Sequence, residues 1–213
     1  MTPKTLIWDW NGTIVDDADL CFEIENELLR ERGMQEITKA WYLGHFSFPI
    51  RAYYTQMGYT FQTETFEEVS EIFMERYRER FLRCPLREGI VHVLKTAKDR
   101  GIGQTLLSVT EQDDLSAQVR AYGVDAFFSD ILGQSDILGV SKVERAKAYI
   151  ARMGIDPKDA LFIGDTDHDV EAANAVGCSC VLLAGGHQSE DVLRRSGVPV
   201  FDSAEALGKE LFH

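Results

Sequence analysis

From Pro85 to the end of the chain, short apolar runs alternate with amphipathic segments, and few architectures accommodate that rhythm. Helical periodicity over residues 88–99 precedes the run Gln104 to Ser108, and a second helix over 112–122 precedes Ala126 to Ser129. A third over 142–153 precedes Ala160 to Ile163, residues 170–176 precede Ser179 to Ala184, and Val198 to Phe201 leads into a short terminal helix. Runs this short and this apolar suit strands buried on both faces. Their alternation with helices predicts an α/β fold, a doubly wound parallel sheet. Thr5 to Trp8 is a further strand of the same kind. In such a sheet ligands bind beyond the carboxyl ends of the strands.

Between these parts the character changes. Phe22, Leu28, Leu29, Ile37, Trp41, Tyr42, Phe46, Val69, Ile72, Phe73, Tyr77 and Phe81 recur at helical spacing among Glu and Arg. Residues 17–84 therefore read as an inserted helical bundle, and residues 1–16 and 85–213 as the core into which it is inserted. A chain of 213 residues with 45% hydrophobic content can bury one core and carry such an insertion.

The net charge of -13 disfavours nucleic acid, whose binding relies on clustered Lys and Arg. A small phosphorylated metabolite stays compatible, because a cation and a few basic groups reverse the potential locally. Four cysteines, Cys21, Cys84, Cys178 and Cys180, are too few for a disulfide scaffold and fit a reducing compartment. Cys178 and Cys180 fall on one face of an apolar strand, where packing is expected rather than metal binding. The first strand begins almost at Met1, and no apolar run approaches membrane-spanning length. The expectation is a soluble cytoplasmic protein, monomer or homodimer.

Four groups fall at the predicted carboxyl ends. Asp9-Trp10-Asn11-Gly12-Thr13 follows the first strand, Ser108 ends the second, Lys142 opens a helix, and Gly164-Asp165-Thr166-Asp167-His168-Asp169 follows the strand 160–163. Each alone is common; the ordered set is informative. A carboxylate at the mouth of a buried strand, followed by a glycine turn and a hydroxyl, is suited to receive a phosphoryl group. Asp9 attacking phosphorus would form an aspartyl phosphate and divide a difficult hydrolysis into two displacements. Carboxylates do not approach a phosphate dianion unaided, so a divalent ion is expected. Asp9, Asp165, Asp169 and the backbone carbonyl of Asn11 could supply hard oxygen ligands for Mg²⁺. Asp167 falls between two of these and is expected to support them from behind or face solvent. Lys142 could neutralise charge on the phosphate and on Asp9. Ser108, or Thr110 if the strand ends later, could donate to a phosphoryl oxygen. Gly12 lets the backbone pass close beneath the phosphate, where its amide and that of Asn11 could bind oxygens, and Thr13 braces the turn.

This set, D-x-x-G-T, a strand-end Ser, a Lys and G-D-x-x-x-D, resembles the haloacid dehalogenase superfamily. The helical insertion after the first motif looks like its C1-type cap, and the general likeness is to the phosphoglycolate phosphatase-like branch. The resemblance implies Mg²⁺-dependent hydrolysis of a small phosphomonoester, with Asp9 as nucleophile and Asp165 and Asp169 on the metal.

Asn11 departs from that pattern. In the family's phosphatases an Asp at this place protonates the leaving oxygen and later activates water, a contribution of about 10²- to 10⁴-fold that Asn cannot make. Dehalogenases resemble D-x-Y-G-T, but they need no Mg²⁺ and would leave Asp165 and Asp169 without use. Phosphonoacetaldehyde hydrolases resemble D-W-A-G-T and use a cap lysine as a Schiff base, for which Lys39 is the candidate here. A phosphate- or metal-binding regulator that has lost its acid–base group is a third reading. His45 could replace the missing donor, and Arg51 could contact substrate from the aromatic segment Trp41 to Tyr54. His168 and His187 lie in predicted loops beside the site, His187 with a possible catalytic or phosphate role, and His92 is expected on a helix surface.

Overall fold

Strand β1 (Thr5–Trp8) shows why the sheet is covered on both faces: Leu6 and Trp8 enter one hydrophobic cluster and Ile7 enters another. The chain, seen in a computed structural model, is described over residues 3–134 and 142–212. After β1 come helices α1 (Ala18–Glu31), α2 (Lys39–His45), α3 (Ile50–Gln56) and α4 (Phe66–Arg80), with no strand among them. The alternating part follows as α5 (Ile90–Asp99), β2 (Gly103–Glu111), α6 (Gln112–Ala121), β3 (Asp130–Gln134), α7 (Lys142–Met153), β4 (Ala160–Gly164), α8 (Asp167–Val176), β5 (Ser179–Leu183), α9 (Glu190–Arg194), β6 (Val200–Phe201) and α10 (Ala204–Phe212). All six strands are parallel in the order β3-β2-β1-β4-β5-β6, so the expected doubly wound α/β sheet is present. The chain winds one way from β1 through β3 and the other way from β4, which leaves a crevice at the end of β1.

The predicted strand over Ala126 to Ser129 is corrected. Residues 125–127 form a 3₁₀ turn, and the strand begins at Asp130. The apolarity of Phe127 and Phe128 reflects their packing against the core at the sheet margin. As an edge strand with one neighbour, β3 is mostly half-buried and carries no continuous apolar run. Strand β2 also runs past Ser108 to Glu111, because its register shifts after Leu107 and pairing resumes with Gln134.

The insertion packs on the core through its own apolar stripe. Leu20, Cys21, Ile24, Leu28 and Leu29 of α1 are buried at helical spacing and join Tyr42, Tyr53 and Tyr77 in the cluster that also holds Trp8 and Trp10. Thr65 and Glu68 form a reciprocal capping box at the start of α4. Cys178 and Cys180 lie in the second core cluster, as their spacing suggested, and all four cysteines are free. No helix among the described residues is long and apolar enough to cross a membrane.

Helix α1 carries a buried acid. Glu25 of α1 accepts the Tyr53 hydroxyl at 2.7 Å. Burial raises its carboxyl from 4.5 to about 8, against the Tyr53 hydrogen bond and the charges of His187 and Lys39. A folded-state value above the unfolded one means that the stability it contributes is complete below the unfolded value and lost as pH rises through the folded one. Glu25→Gln keeps the acceptor and removes the titration. Its Tm is therefore expected to gain on the parent's steadily from pH 5 to 8; a constant difference over that range would mean that Glu25 is ionised throughout.

Candidate active site

The centre of the sheet brings the singled-out motifs together. Trp8 at the end of β1 pairs with Leu106 of β2 and Ile163 of β4, so Asp9, Ser108 and Asp165 leave the sheet at one end. Asp9, Asp165 and Asp169 each offer a carboxylate oxygen, all within 4.8 Å of one another. The Lys142 ammonium, at the start of α7, donates to Asp9 Oδ1 and to Asp169 Oδ1, both at 2.6 Å. Asp169 sits in the first turn of α8 and reaches back with Oδ2 to accept the Thr166 amide at 3.1 Å and hydroxyl at 2.8 Å, as well as the Asp165 amide at 3.2 Å. Carboxylates at a helix start are favoured by the unpaired amides there. Thr13, expected to brace its own turn, donates across to Asp165 Oδ1 at 2.9 Å, and the His187 amide donates to Asp165 Oδ2 at 2.7 Å.

Glycine is required where these loops meet. Gly12 has φ +68°, and a Cβ there would lie 2.2 Å from Asp165 Oδ2 and 2.7 Å from His187 Cδ2. A Cβ on Gly186 would meet the same Asp165 oxygen at 2.2 Å.

Burial raises the Asp9 carboxyl to about 7, with Lys142 opposing and the charges of Asp169 and Asp165 adding to the rise. Asp165 is pushed up to about 6, first by burial and then, against the charge of His187, by Asp169. Burial works against Asp169 too, yet Lys142 and Thr166 hold it below the usual range. Lys142 is raised by its two carboxylates despite burial. Three carboxylates against one ammonium leave a negative excess among hard oxygen donors, which a divalent cation such as Mg²⁺ relieves. The chemistry of the donor set therefore fits a divalent metal held by Asp9, Asp165 and Asp169.

The structure places the remaining candidates unequally. Ser108 is fully buried and donates to Thr110 Oγ1 at 3.0 Å, and the Thr110 hydroxyl donates to Asn11 Oδ1 at 2.8 Å. These three are thus neighbours at the mouth of β2. The Gly12 amide, expected to bind phosphate, instead donates to Asp17 Oδ1 at 2.8 Å, which corrects that expectation. Arg51 is exposed on α3, its guanidinium over the rings of Phe61 and Phe66, because Tyr53 and Tyr54 occupy the buried face. Its contacts are with those rings rather than with the motif residues. His45 is likewise exposed, stacked on Trp41 and hydrogen-bonded to its carbonyl. Lys39 lies over the rings of Phe22 and Tyr42, with Asp19 at 2.7 Å. His168 stacks on Phe48 and His92 is exposed. Asp167 is tied to Gln188.

Two groups gain importance from the structure. His187 is buried between Asp17, 3.4 Å from Nε2, and the Tyr42 hydroxyl, 2.6 Å from Nδ1. Burial opposes its charge, yet Asp17 and then Asp165 and Asp9 raise the imidazole to about 9. Burial would raise the Asp17 carboxyl, but His187, Tyr77 and Asn11 hold it below its ordinary value. Arg145, one turn beyond Lys142 on α7, was not singled out. It donates to the carbonyls of Ser108 at 2.6 Å and Leu132 at 3.3 Å and so ties together the ends of β2 and β3. The i, i+3 spacing from Lys142 is the signal that points to it.

The sequence profile of the haloacid dehalogenase-like hydrolase family matches residues 6–183, and the chain belongs to that family. It is thereby an enzyme of the hydrolase class, as its motifs suggested. It is similar to a phosphoglycolate phosphatase of Pseudomonas savastanoi pv. phaseolicola, with 27% identity over 194 residues that cover 87% of this chain and 71% of the relative. Among solved structures it resembles a haloacid dehalogenase-like hydrolase from Streptococcus pneumoniae, with TM-score 0.82, 16% identity and 98% of each chain covered. It also resembles Protein Tyrosine Kinase A of Mycobacterium tuberculosis, with TM-score 0.82, 22% identity and coverage of 100% of this chain and 99% of the other. Those two names, one hydrolase and one kinase, illustrate that likeness at this level establishes the fold alone.

Because Asp9 and Asp165 hold protons more tightly in the fold than in the unfolded chain, a cation must displace those protons at low pH. Saturating Mg²⁺ is expected to raise the Tm by roughly 5 °C at pH 8 and by little at pH 5. Asp165→Asn should remove most of the pH 8 shift; an equal shift in parent and variant would show that the cation binds elsewhere.

Proposed function

We propose that the chain is a Mg²⁺-dependent phosphatase that hydrolyses a small phosphomonoester through an aspartyl phosphate on Asp9. The observation that carries this reading is the triangle of Asp9, Asp165 and Asp169 joined through Lys142. An oxygen of Asp9 attacks phosphorus, the bond from phosphorus to the leaving oxygen breaks, and water then releases inorganic phosphate from Asp9. Lys142 offsets charge on Asp9 and on the phosphoryl oxygens; the Ser108 and Thr110 hydroxyls, which donate to Thr110 and to Asn11, would have to turn before either could donate to phosphate. Held by Asp9, Asp165, Asp169 and the Asn11 carbonyl, a Mg²⁺ ion would neutralise phosphoryl charge during the displacement.

Residues 17–84 serve as a cap over the core of residues 1–16 and 85–213. A cleft of about 410 Å³ lies between them, lined by Lys39, Asp19 and Leu43 on one side and by Gly185, Gly186 and Gln188 on the other. The name of the Pseudomonas relative supports a substrate of the phosphoglycolate kind. Four free, buried cysteines support a reducing, cytoplasmic setting.

The test is hydrolysis of p-nitrophenyl phosphate and a panel of phosphometabolites with Mg²⁺. Asp9→Asn, or a chelator, is expected to lower turnover by at least about 10³-fold. Activity that survives both would refute the reading. With Asn11 unable to protonate a leaving group, the aryl ester should be the faster substrate unless the metabolite supplies its own proton.

A further inference from the structure

Asp17 stands where an aspartate ordinarily caps the following helix, yet its carboxylate makes no such bond to α1. It turns back instead to the loop that carries Asp9. Its Oδ1 accepts the Gly12 amide at 2.8 Å, and its Oδ2 accepts the Asn11 amide nitrogen at 2.7 Å and the Tyr77 hydroxyl at 2.6 Å. The residue is fully buried. The orientation of the Asn11 side chain follows from its other neighbour: the Thr110 hydroxyl donates to Oδ1 at 2.8 Å, so the NH₂ group faces Asp17. That NH₂ also donates to Tyr77 at 2.6 Å. A carboxylate at residue 11 would place two acceptors, and at neutral pH two anions, within 2.7 Å of each other, with the Asp17 partner fully buried and residue 11 half-buried.

We infer that Asn11 and Asp17 form a reciprocal pair, in which the carboxylate expected at residue 11 stands at residue 17 and the two positions work only as one anion and one neutral donor. Asp17 is then a positioning residue. It holds the Gly12 turn, orients Asn11, and fastens Tyr77 of α4 to the loop that bears Asp9. Asn11 is not a phosphatase aspartate lost by chance, and restoring that aspartate alone does not restore the machinery. The consequence for turnover rests on the phosphatase reading above; the pairing itself does not.

The experiment is a double-mutant cycle of Asn11→Asp and Asp17→Asn, read by thermal and denaturant unfolding and by kcat on p-nitrophenyl phosphate and on an alkyl phosphate. Each single variant should lose stability and kcat. The double variant regains an anion and a donor in exchanged places, so its unfolding constant should be at least tenfold better than additivity of the singles, which is about 1.4 kcal/mol of coupling. Its kcat on the alkyl ester should exceed that of Asn11→Asp alone, because its new carboxylate is held by a donor. Additive stability losses, or an Asn11→Asp protein as stable as the parent with raised kcat, overturn the pairing. Should the exchanged proteins fail to fold, Asn11→Ser decides: it removes the amide without adding charge and must cost clearly less than Asn11→Asp, and equal cost overturns the proposal. A parent inactive on every ester would end the phosphatase reading while leaving the stability cycle to judge the pair.

Discussion

Mutual repulsion among Asp9, Asp165 and Asp169 is the constraint around which the rest of the molecule is arranged. Two unit charges 4.8 Å apart repel by about 3 kcal/mol at the effective dielectric of a protein interior, and three such pairs share one cluster. Lys142 reaches only two of the three carboxylates. The third, Asp165, has a hydroxyl and a backbone amide for partners. No gain from local packing would gather these groups. What gathers them is the sheet, whose central strand pair ends in Asp9 and Gly164-Asp165 whatever their charge, because Leu6, Ile7, Trp8, Leu161, Phe162 and Ile163 bury the strands that precede them. Hydrophobic burial elsewhere thus holds an electrostatically unfavourable cluster in place, and that is the condition under which a site binds a cation strongly.

How much of this was legible in the sequence depends on how far each residue's position follows from local pattern. Asp9, Lys142, Asp165 and Asp169 lie at strand ends or helix starts, which short apolar runs locate to within a residue or two, while Ser108 lies where the pairing of β2 with β3 is interrupted, three residues before the strand ends. Parallel winding then makes them converge without any knowledge of side-chain contacts. Asp17, His187 and Tyr42 have no such address. Asp17 looked like the boundary of an insertion, and only the way the insertion folds back shows that its carboxylate meets Gly12, Asn11 and Tyr77. Arg51 and His45 misled for the opposite reason. They sit in an aromatic segment that suggests a substrate face, but the aromatic rings there pack on one another and leave both side chains at the surface. The displaced β3 is a similar case, since an edge strand needs apolar residues on fewer sides than the runs used to find strands.

Two buried polar networks meet at the wall formed by Gly12 and His187, and they differ in charge. One runs from Tyr42 through His187 and Asp17 to Tyr77 and Asn11. It contains one cation and one anion, so it is balanced within itself, and both of its terminal hydroxyls belong to the insertion, on α2 and α4. The other, Asp9, Asp165, Asp169 and Lys142, is unbalanced and belongs entirely to the core. A balanced pair gains nothing from an incoming ion, whereas an unbalanced cluster does. The charge imbalance is therefore confined to the core half, while the half that joins core to insertion is balanced within itself.

That division bears on the order of events in any phosphoryl reaction at this site. A phosphate dianion approaching three carboxylates and a single ammonium meets net repulsion, and the hydroxyls of Ser108 and Thr110 supply dipoles rather than charge to counter it. The cluster has to be neutralised first, by a cation or by protons on Asp9 and Asp165. Protonation of Asp9 removes the nucleophile, so of the two routes only a cation leaves an anionic carboxylate able to attack. The same raised carboxyls that make the cluster costly without a cation thus exclude the proton as a substitute for it. On the phosphatase reading, the charge count at this site is thus an argument for a cation that does not rest on likeness to other members of the family.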